Sequence, residues 1–236
     1  MRSCFSLFVA VFCVGMTLCL MTDAQGIFHP KIKIMPFGDS LTAGAYLVDG
    51  TYHTDSGYRE TLWDLLNEAH KKAHFVGTFQ DGLPGFTERN HEGHSGMRID
   101  QISEGAKAWT STNHPDVVLL LIGTNDCIQN NDLPHAMDRM QQLIENIQSS
   151  APHALIFIST TIPNANPDVQ ARVVRYNQDL RTWISEKQKT DPSLHLVEMN
   201  APAGPEASDL RDGVHPTPEG YAKMGQIWFQ AIRNFL

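Results

Sequence analysis

Gly38-Asp39-Ser40-Leu41 interrupts a short apolar run, Ile32 to Phe37, and offers a serine at the point where the run stops. A serine hydroxyl is a poor nucleophile while it keeps its proton, so chemistry at Ser40 needs a base from elsewhere. A candidate stands near the other end of the chain, in Asp212-Gly213-Val214-His215-Pro216. Three-residue spacing lets the Asp212 carboxylate reach the His215 Nδ1 within one loop. That contact would hold one tautomer and leave Nε2 to take the Ser40 proton. Both fragments also have plain readings. Gly-Asp-Ser suits a turn or a cap, and Asp212 could cap the last helix with His215 exposed beside Pro216.

Acyl transfer also needs donors aimed at the developing oxyanion, each worth about 10²–10³ in rate. At a strand end, the Ser40 N–H would point into the crevice. The run Val117 to Ile122 ends in Gly123-Thr124-Asn125-Asp126, where Asn125 could offer its side-chain amide. The segment His91-Glu92-Gly93-His94-Ser95-Gly96 could add the Gly96 N–H, because a residue without Cβ permits close approach. Taken singly, these too are ordinary turn residues. The serine is not in a G-x-S-x-G elbow, since Thr42 stands where the second glycine would be.

Five near-continuous apolar runs must position these groups: Ile32 to Phe37, His74 to Phe79, Val117 to Ile122, Leu155 to Thr160, and Leu194 to Met199. Such runs suit strands covered on both faces. Between them lie stripes of helical spacing: Leu62-Leu65-Leu66-Ala69, Met137-Met140-Ile144-Ile147, Val173-Tyr176-Leu180-Trp183-Ile184 and Tyr221-Met224-Ile227-Trp228-Ile232. Pro134 and Pro218 mark helix starts. Alternating strands and helices predict an α/β fold with a five-stranded, mostly parallel sheet covered on both faces. Long loops are expected over Asp81 to Gly96 and Asn200 to Pro216, and loops beyond the carboxyl ends of such strands build sites. No repeat or linker divides the chain, so 25–236 reads as a single domain.

Residues 1–24 read as a secretory signal peptide: Arg2, an apolar stretch from Phe5 to Leu20, and a small-x-small ending at Ala24. The rival is a retained anchor, for which a span wants about 20 apolar residues. The expected product is secreted and extracellular, without membrane association after cleavage. Cys4, Cys13 and Cys19 fall in the leader, leaving Cys127 alone and no intramolecular disulfide. There is no N-x-S/T acceptor for glycosylation. A net charge of −8 without a basic patch argues against nucleic acid and favours solubility. A monomer is expected.

Ser, Gly, Asn and Asp-x-x-His, in that order, resemble the SGNH (GDSL-type) hydrolase superfamily. Gly38-Asp39-Ser40-Leu41 matches its first block, Gly96 its second, Gly123-x-Asn125-Asp126 its third and Asp212-x-x-His215 its last. The resemblance implies a flavodoxin-like three-layer α/β/α sandwich and ester hydrolysis without metal or other cofactor. Ser40 would be nucleophile, His215 base and Asp212 its orienting acid, with Ser40, Gly96 and Asn125 forming the oxyanion hole. "KIKIMPFGDSLT", "HFVGTF", "HEGHSG" and "PDVVLLLIGTND" are further similar to carbohydrate esterase family 3, mostly acetyl xylan esterases. This implies an acetylated polysaccharide or another small ester as substrate. A lipase, lysophospholipase or thioesterase would use the same residues. A non-catalytic carbohydrate-binding protein on this scaffold and a metal-dependent deacetylase are rival functions.

Some residues invite roles they do not need. His91 and His94 lack the spacing of H-E-x-x-H and a third ligand, and read as shaping the Gly96 loop. Asp126 could serve the base or hold the Asn125 loop. Arg59 and Glu60 read as surface or supporting groups at a helix start, and Cys127 as a small buried residue. Ala43 to Asp55 is a local variation beside the nucleophile, able to alter the acyl or sugar pocket.

Overall fold

A computed structural model describes residues 31–236, so the leader expected over 1–24 lies outside the described residues. The strands are β1 (Ile32–Gly38), β2 (Ala45–Val48), β3 (Thr51–Thr54), β4 (Ala73–Phe75), β5 (Glu92–Gly93), β6 (Val117–Leu121), β7 (Leu155–Ser159) and β8 (Leu194–Val197). The helices are α1 (Ser40–Ala43), α2 (Tyr58–Glu68), α3 (Ile99–Asn113), α4 (Thr124–Gln129), α5 (Ala136–Ser150), α6 (Pro167–Lys187) and α7 (Pro218–Ile232).

All five expected strands lie in one sheet, in the order β4-β1-β6-β7-β8, and every pairing in it is parallel. Because successive side chains on a strand face opposite ways, the sheet feeds two cores. Met35, Phe37, Val118, Leu120, Ile156 and Ile158 pack with residues of α3, α5 and α6. Ile34, Val117, Leu119, Leu121 and Phe157 pack with residues of α2 and α7. The result is the three-layer sandwich with flavodoxin-like order, and the order reverses direction between β1 and β6. The crevice at such a switch point is where open α/β sheets bind ligands.

Three departures from the sequence reading bear on the site. Within the expected loop 81–96 lies a short strand, β5, which pairs in parallel with Phe37 and Gly38 at the end of β1. Ala43 to Asp55 contains an antiparallel hairpin, β2–β3. Its turn is Asp49-Gly50 with both φ values positive, 49° and 75°, as a two-residue hairpin turn requires. Finally, α3 has no counterpart among the four helical stripes, because its buried face of Ile99, Ile102, Ser103, Ala106 and Thr110 is diluted by hydroxyl residues. Pro218 opens α7 as expected, whereas Pro134 sits in a short 3-10 turn, Leu133–His135, ahead of α5.

Candidate active site

Ser40 is delivered by β1. A Cβ on Gly38 would collide with the Leu121 carbonyl oxygen, so glycine alone lets β1 and β6 end side by side. The chain then turns: the Asp39 carboxylate accepts the Leu41 N–H at 3.0 Å and caps the short α1, whose first residue is Ser40.

His215 comes from the loop ahead of α7, where Thr217 caps the helix by accepting the Gly220 N–H. Leu210 and Pro216 form an antiparallel bridge that closes this loop. His215 Nε2 lies 2.9 Å from Ser40 Oγ, across 175 residues of chain. Its Nδ1 lies 2.7 Å from Asp212 Oδ2. Asp212 Oδ1 also accepts the backbone N–H of His215 at 2.7 Å and of Val214 at 3.0 Å. Asp212 therefore does more than face the imidazole: it folds the loop that carries it.

The two carboxylates here are pushed in opposite directions. Burial works against charge on Asp212, but hydrogen bonds from the N–H groups of His215, Leu47 and Val214 and from the imidazole outweigh it and hold the carboxyl below its usual range. Asp39 is fully buried with fewer donors, and the nearby Asp126 charge adds to the penalty, so its pKa is pushed up to about 7.

Asn125, near the start of α4 just beyond β6, donates from Nδ2 to Met97 O at 2.9 Å. Its Nδ2 is also 3.5 Å from Asp39 Oδ2, too long to hold the second N–H firmly. Gly96 has φ +80° with open space where a Cβ would project, so a glycine is suited by conformation rather than by crowding. The Gly96 segment is stitched to β1 by β5 and by His94 N–H donating to Gly38 O at 2.8 Å. Among the described residues, the N–H groups of Ser40 and Gly96 have no protein acceptor.

A GDSL-like lipase/acylhydrolase family model matches residues 37–223, from the end of β1 through the Asp212–His215 loop into α7. The chain belongs to that family. It is similar to a family 3 carbohydrate esterase from Clostridium thermocellum, at 30% identity and a TM-score of 0.75, over 87% of this chain and 96% of that one. A family 3 carbohydrate esterase from Talaromyces cellulolyticus shares the fold at a TM-score of 0.71 and 24% identity, over 86% of this chain and 99% of that one. A multidomain esterase from Ruminococcus flavefaciens is 28% identical over 93% of this chain, which spans 31% of the length of that protein.

Several residues around this GDSL-family site have structural duties, some of them expected from the sequence. Arg59 is wholly buried. Its guanidinium donates to Thr42 O at 3.1 Å and Ala43 O at 3.2 Å, the end of α1, and to Arg89 O at 2.7 Å. It is a clamp under the Ser40 turn, the supporting role of the two expected rather than the surface one, and burial lowers its pKa to about 10. Asp126 does not serve His215: it accepts the Ile99 N–H at 3.0 Å, opening α3, and pairs with Arg139 at 3.1 Å. His91 and His94 do shape the Gly96 loop. His91 Nδ1 accepts the Gly93 N–H at 3.1 Å, and burial lowers its pKa to about 2, so it is neutral. His94 Nε2 lies 2.9 Å from the buried Glu92 carboxylate. Cys127 is fully buried, which pushes its thiol up to about 12.

The β2–β3 hairpin reaches the site as well. Leu47 N–H donates to Asp212 Oδ2 at 2.8 Å. Tyr46 stacks beneath Arg211, whose guanidinium carbon is 3.7 Å from the ring centroid. Arg211 also donates to Pro216 O at 2.9 Å and reaches Asp55 at 3.4 Å. In the sequence, the signal for this hairpin is the Asp49-Gly50 turn between two β-prone runs.

Proposed function

We propose that this GDSL-family chain is a serine esterase that removes acetyl groups from a polysaccharide such as xylan. The contact between Ser40 Oγ and His215 Nε2, at 2.9 Å with Asp212 behind the ring, carries the reading. His215 Nε2 takes the Ser40 proton as Oγ bonds to the ester carbonyl carbon. The carbonyl oxygen becomes an oxyanion received by the free N–H groups of Ser40 and Gly96 and by the second N–H of Asn125. The intermediate collapses, the C–O bond to the sugar breaks, and the imidazolium returns its proton to the sugar oxygen. Water then gives a proton to His215 and its oxygen to the acetyl carbon; the bond from that carbon to Ser40 Oγ breaks, the imidazolium returns its proton to Oγ, and acetate leaves.

Asp212, kept ionised by its donors, stabilises the imidazolium in both steps. No step calls for a metal or cofactor. The sugar and acetyl assignment is supported by the likeness to family 3 carbohydrate esterases. We further take 1–24 as a cleaved leader and the product as secreted, which predicts a mature N-terminus at Gln25.

The test compares the purified protein with Ser40→Ala on acetylated xylan. Acetate release by the wild type, lost in the variant, is the expected result, with mass spectrometry showing one acetyl group trapped on the Ser40 peptide. Absence of acetate from xylan alongside cleavage of simple esters would overturn the polysaccharide reading.

A further inference from the structure

Beside the proposed nucleophile lies an open cleft of about 300 Å³, lined by Ala43 at the end of α1, by Tyr52 and Thr54 of β3, and by Phe79, Asp81 and Ser95. That volume is at the small end of ligand sites, yet far exceeds an acetyl group. Ser40 and His215 do not line it. Its lining includes Ala43, at the end of the helix that Ser40 opens, and Ser95 and Met97, which flank Gly96.

Two aromatic rings stand at its rim. Tyr52 is 48% exposed and Phe79 37%, unusual exposure for such large side chains. Tyr52, from β3, and Ser95, next to Gly96, line the same cleft. Phe79 is braced edge-on against His94 at 5.0 Å, and His94 stacks on Trp109 at 3.9 Å. The Phe79 wall is therefore fixed, while Tyr52 projects from a hairpin that Leu47 ties to Asp212. In this hairpin Leu47 and Tyr52 are directly paired across the two strands.

We infer that Tyr52 is the specificity-determining residue for the alcohol side of the substrate, seating a pyranose ring against its face opposite Phe79. This rests on the esterase reading above. A pyranose has C–H faces that pack on an aromatic ring and hydroxyls at its edge, and the cleft supplies both partners. Thr54 and Ser95 offer hydroxyls, and the half-exposed Asp81 carboxylate accepts hydrogen bonds. A fatty acyl chain would want a closed tube without such groups.

The test measures kcat/KM for the wild type, Tyr52→Ala and Tyr52→Phe on an acetylated xylo-oligosaccharide, ethyl acetate and ethyl octanoate. Tyr52→Ala is expected to lose about tenfold or more on the oligosaccharide, chiefly in KM, while ethyl acetate stays within about twofold. Tyr52→Phe, which keeps the ring, should retain the oligosaccharide rate. If Tyr52→Ala loses only octanoate, the cleft is an acyl pocket and the assignment fails. Equal loss on all three esters also overturns it, making Tyr52 a support for the hairpin. So does an unchanged oligosaccharide rate, with the esterase reading intact. A wild type that cleaves ethyl acetate but not the oligosaccharide overturns the polysaccharide reading itself, and this assignment with it.

Discussion

The backbone N–H of Leu47 donates to the carboxylate of Asp212 at 2.8 Å, joining a surface hairpin to the loop of His215 across 165 residues. In a two-residue hairpin, Val48 and Thr51 exchange the ladder bonds next to the turn, so Leu47 and Tyr52 form a pair without them. The Leu47 N–H is thereby turned away from β3 and free for Asp212. Proline removes that donor without breaking a ladder bond of the hairpin. Leu47→Pro should lower kcat on a simple ester by about 10- to 100-fold, the worth of one hydrogen bond to a charge. An unchanged kcat with an unchanged melting temperature would mean that the remaining donors suffice.

Asp212→Asn places an amide where two donors, Leu47 N–H and the protonated Nδ1, now meet an oxygen. The imidazole would be left in the wrong tautomer for Ser40. A fall in kcat of about 10⁴ is expected, with far-ultraviolet circular dichroism preserved. A loss below about tenfold would remove Asp212 from the mechanism.

Asp39 makes stability depend on pH in an identifiable window. Its pKa is 3.8 in an unfolded chain and about 7 when folded, because burial disfavours its charge. Between those values the folded state binds the extra proton. The stability this group contributes is whole below 3.8 and is lost as pH rises through about 7. Asp39→Asn keeps an oxygen for the Leu41 N–H but has no proton to lose. Denaturation from pH 4 to 8 should show the wild type losing a few kcal/mol relative to the variant. Parallel profiles would show that Asp39 is ionised throughout.

Arg59 holds the end of α1 by donating to two of its carbonyls, and no other side chain among the described residues does so. Arg59→Met fills much of the same space and leaves those oxygens buried without partners. The variant should lose about 3 kcal/mol or more, lowering the melting temperature by about 6–12 °C. Recovery of activity at low temperature would separate this structural duty from chemistry. A melt equal to wild type would refute the clamp.

Much of this protein could be read from local pattern. Apolar runs declared the five strands, because strands buried on both faces cannot alternate. Helical stripes declared four helices for the same reason of periodicity. The α3 stripe was hidden by Ser103 and Thr110, whose burial is offset by Asn146 donating to Ser103 at 2.9 Å and by a Thr110–Ser150 contact at 2.6 Å, partners on α5 that no local window contains. The Asp49-Gly50 turn was legible too, but its strands are so exposed that no apolar alternation marked them.

The candidate site divides along the same line. The sequence by itself determined which groups are present and their order, and the three-residue step from Asp212 to His215 made their contact a local matter. Only the tertiary structure decided that Ser40 meets His215, because parallel β1 and β6 end together and α7 returns its preceding loop to that edge. Burial likewise has no local signature. Asp39 and Asp212 are the same residue type, and Arg59 looks like any arginine at a helix start. What separates them is how many donors and how much water distant elements leave around each charge, and that is settled when the sandwich closes.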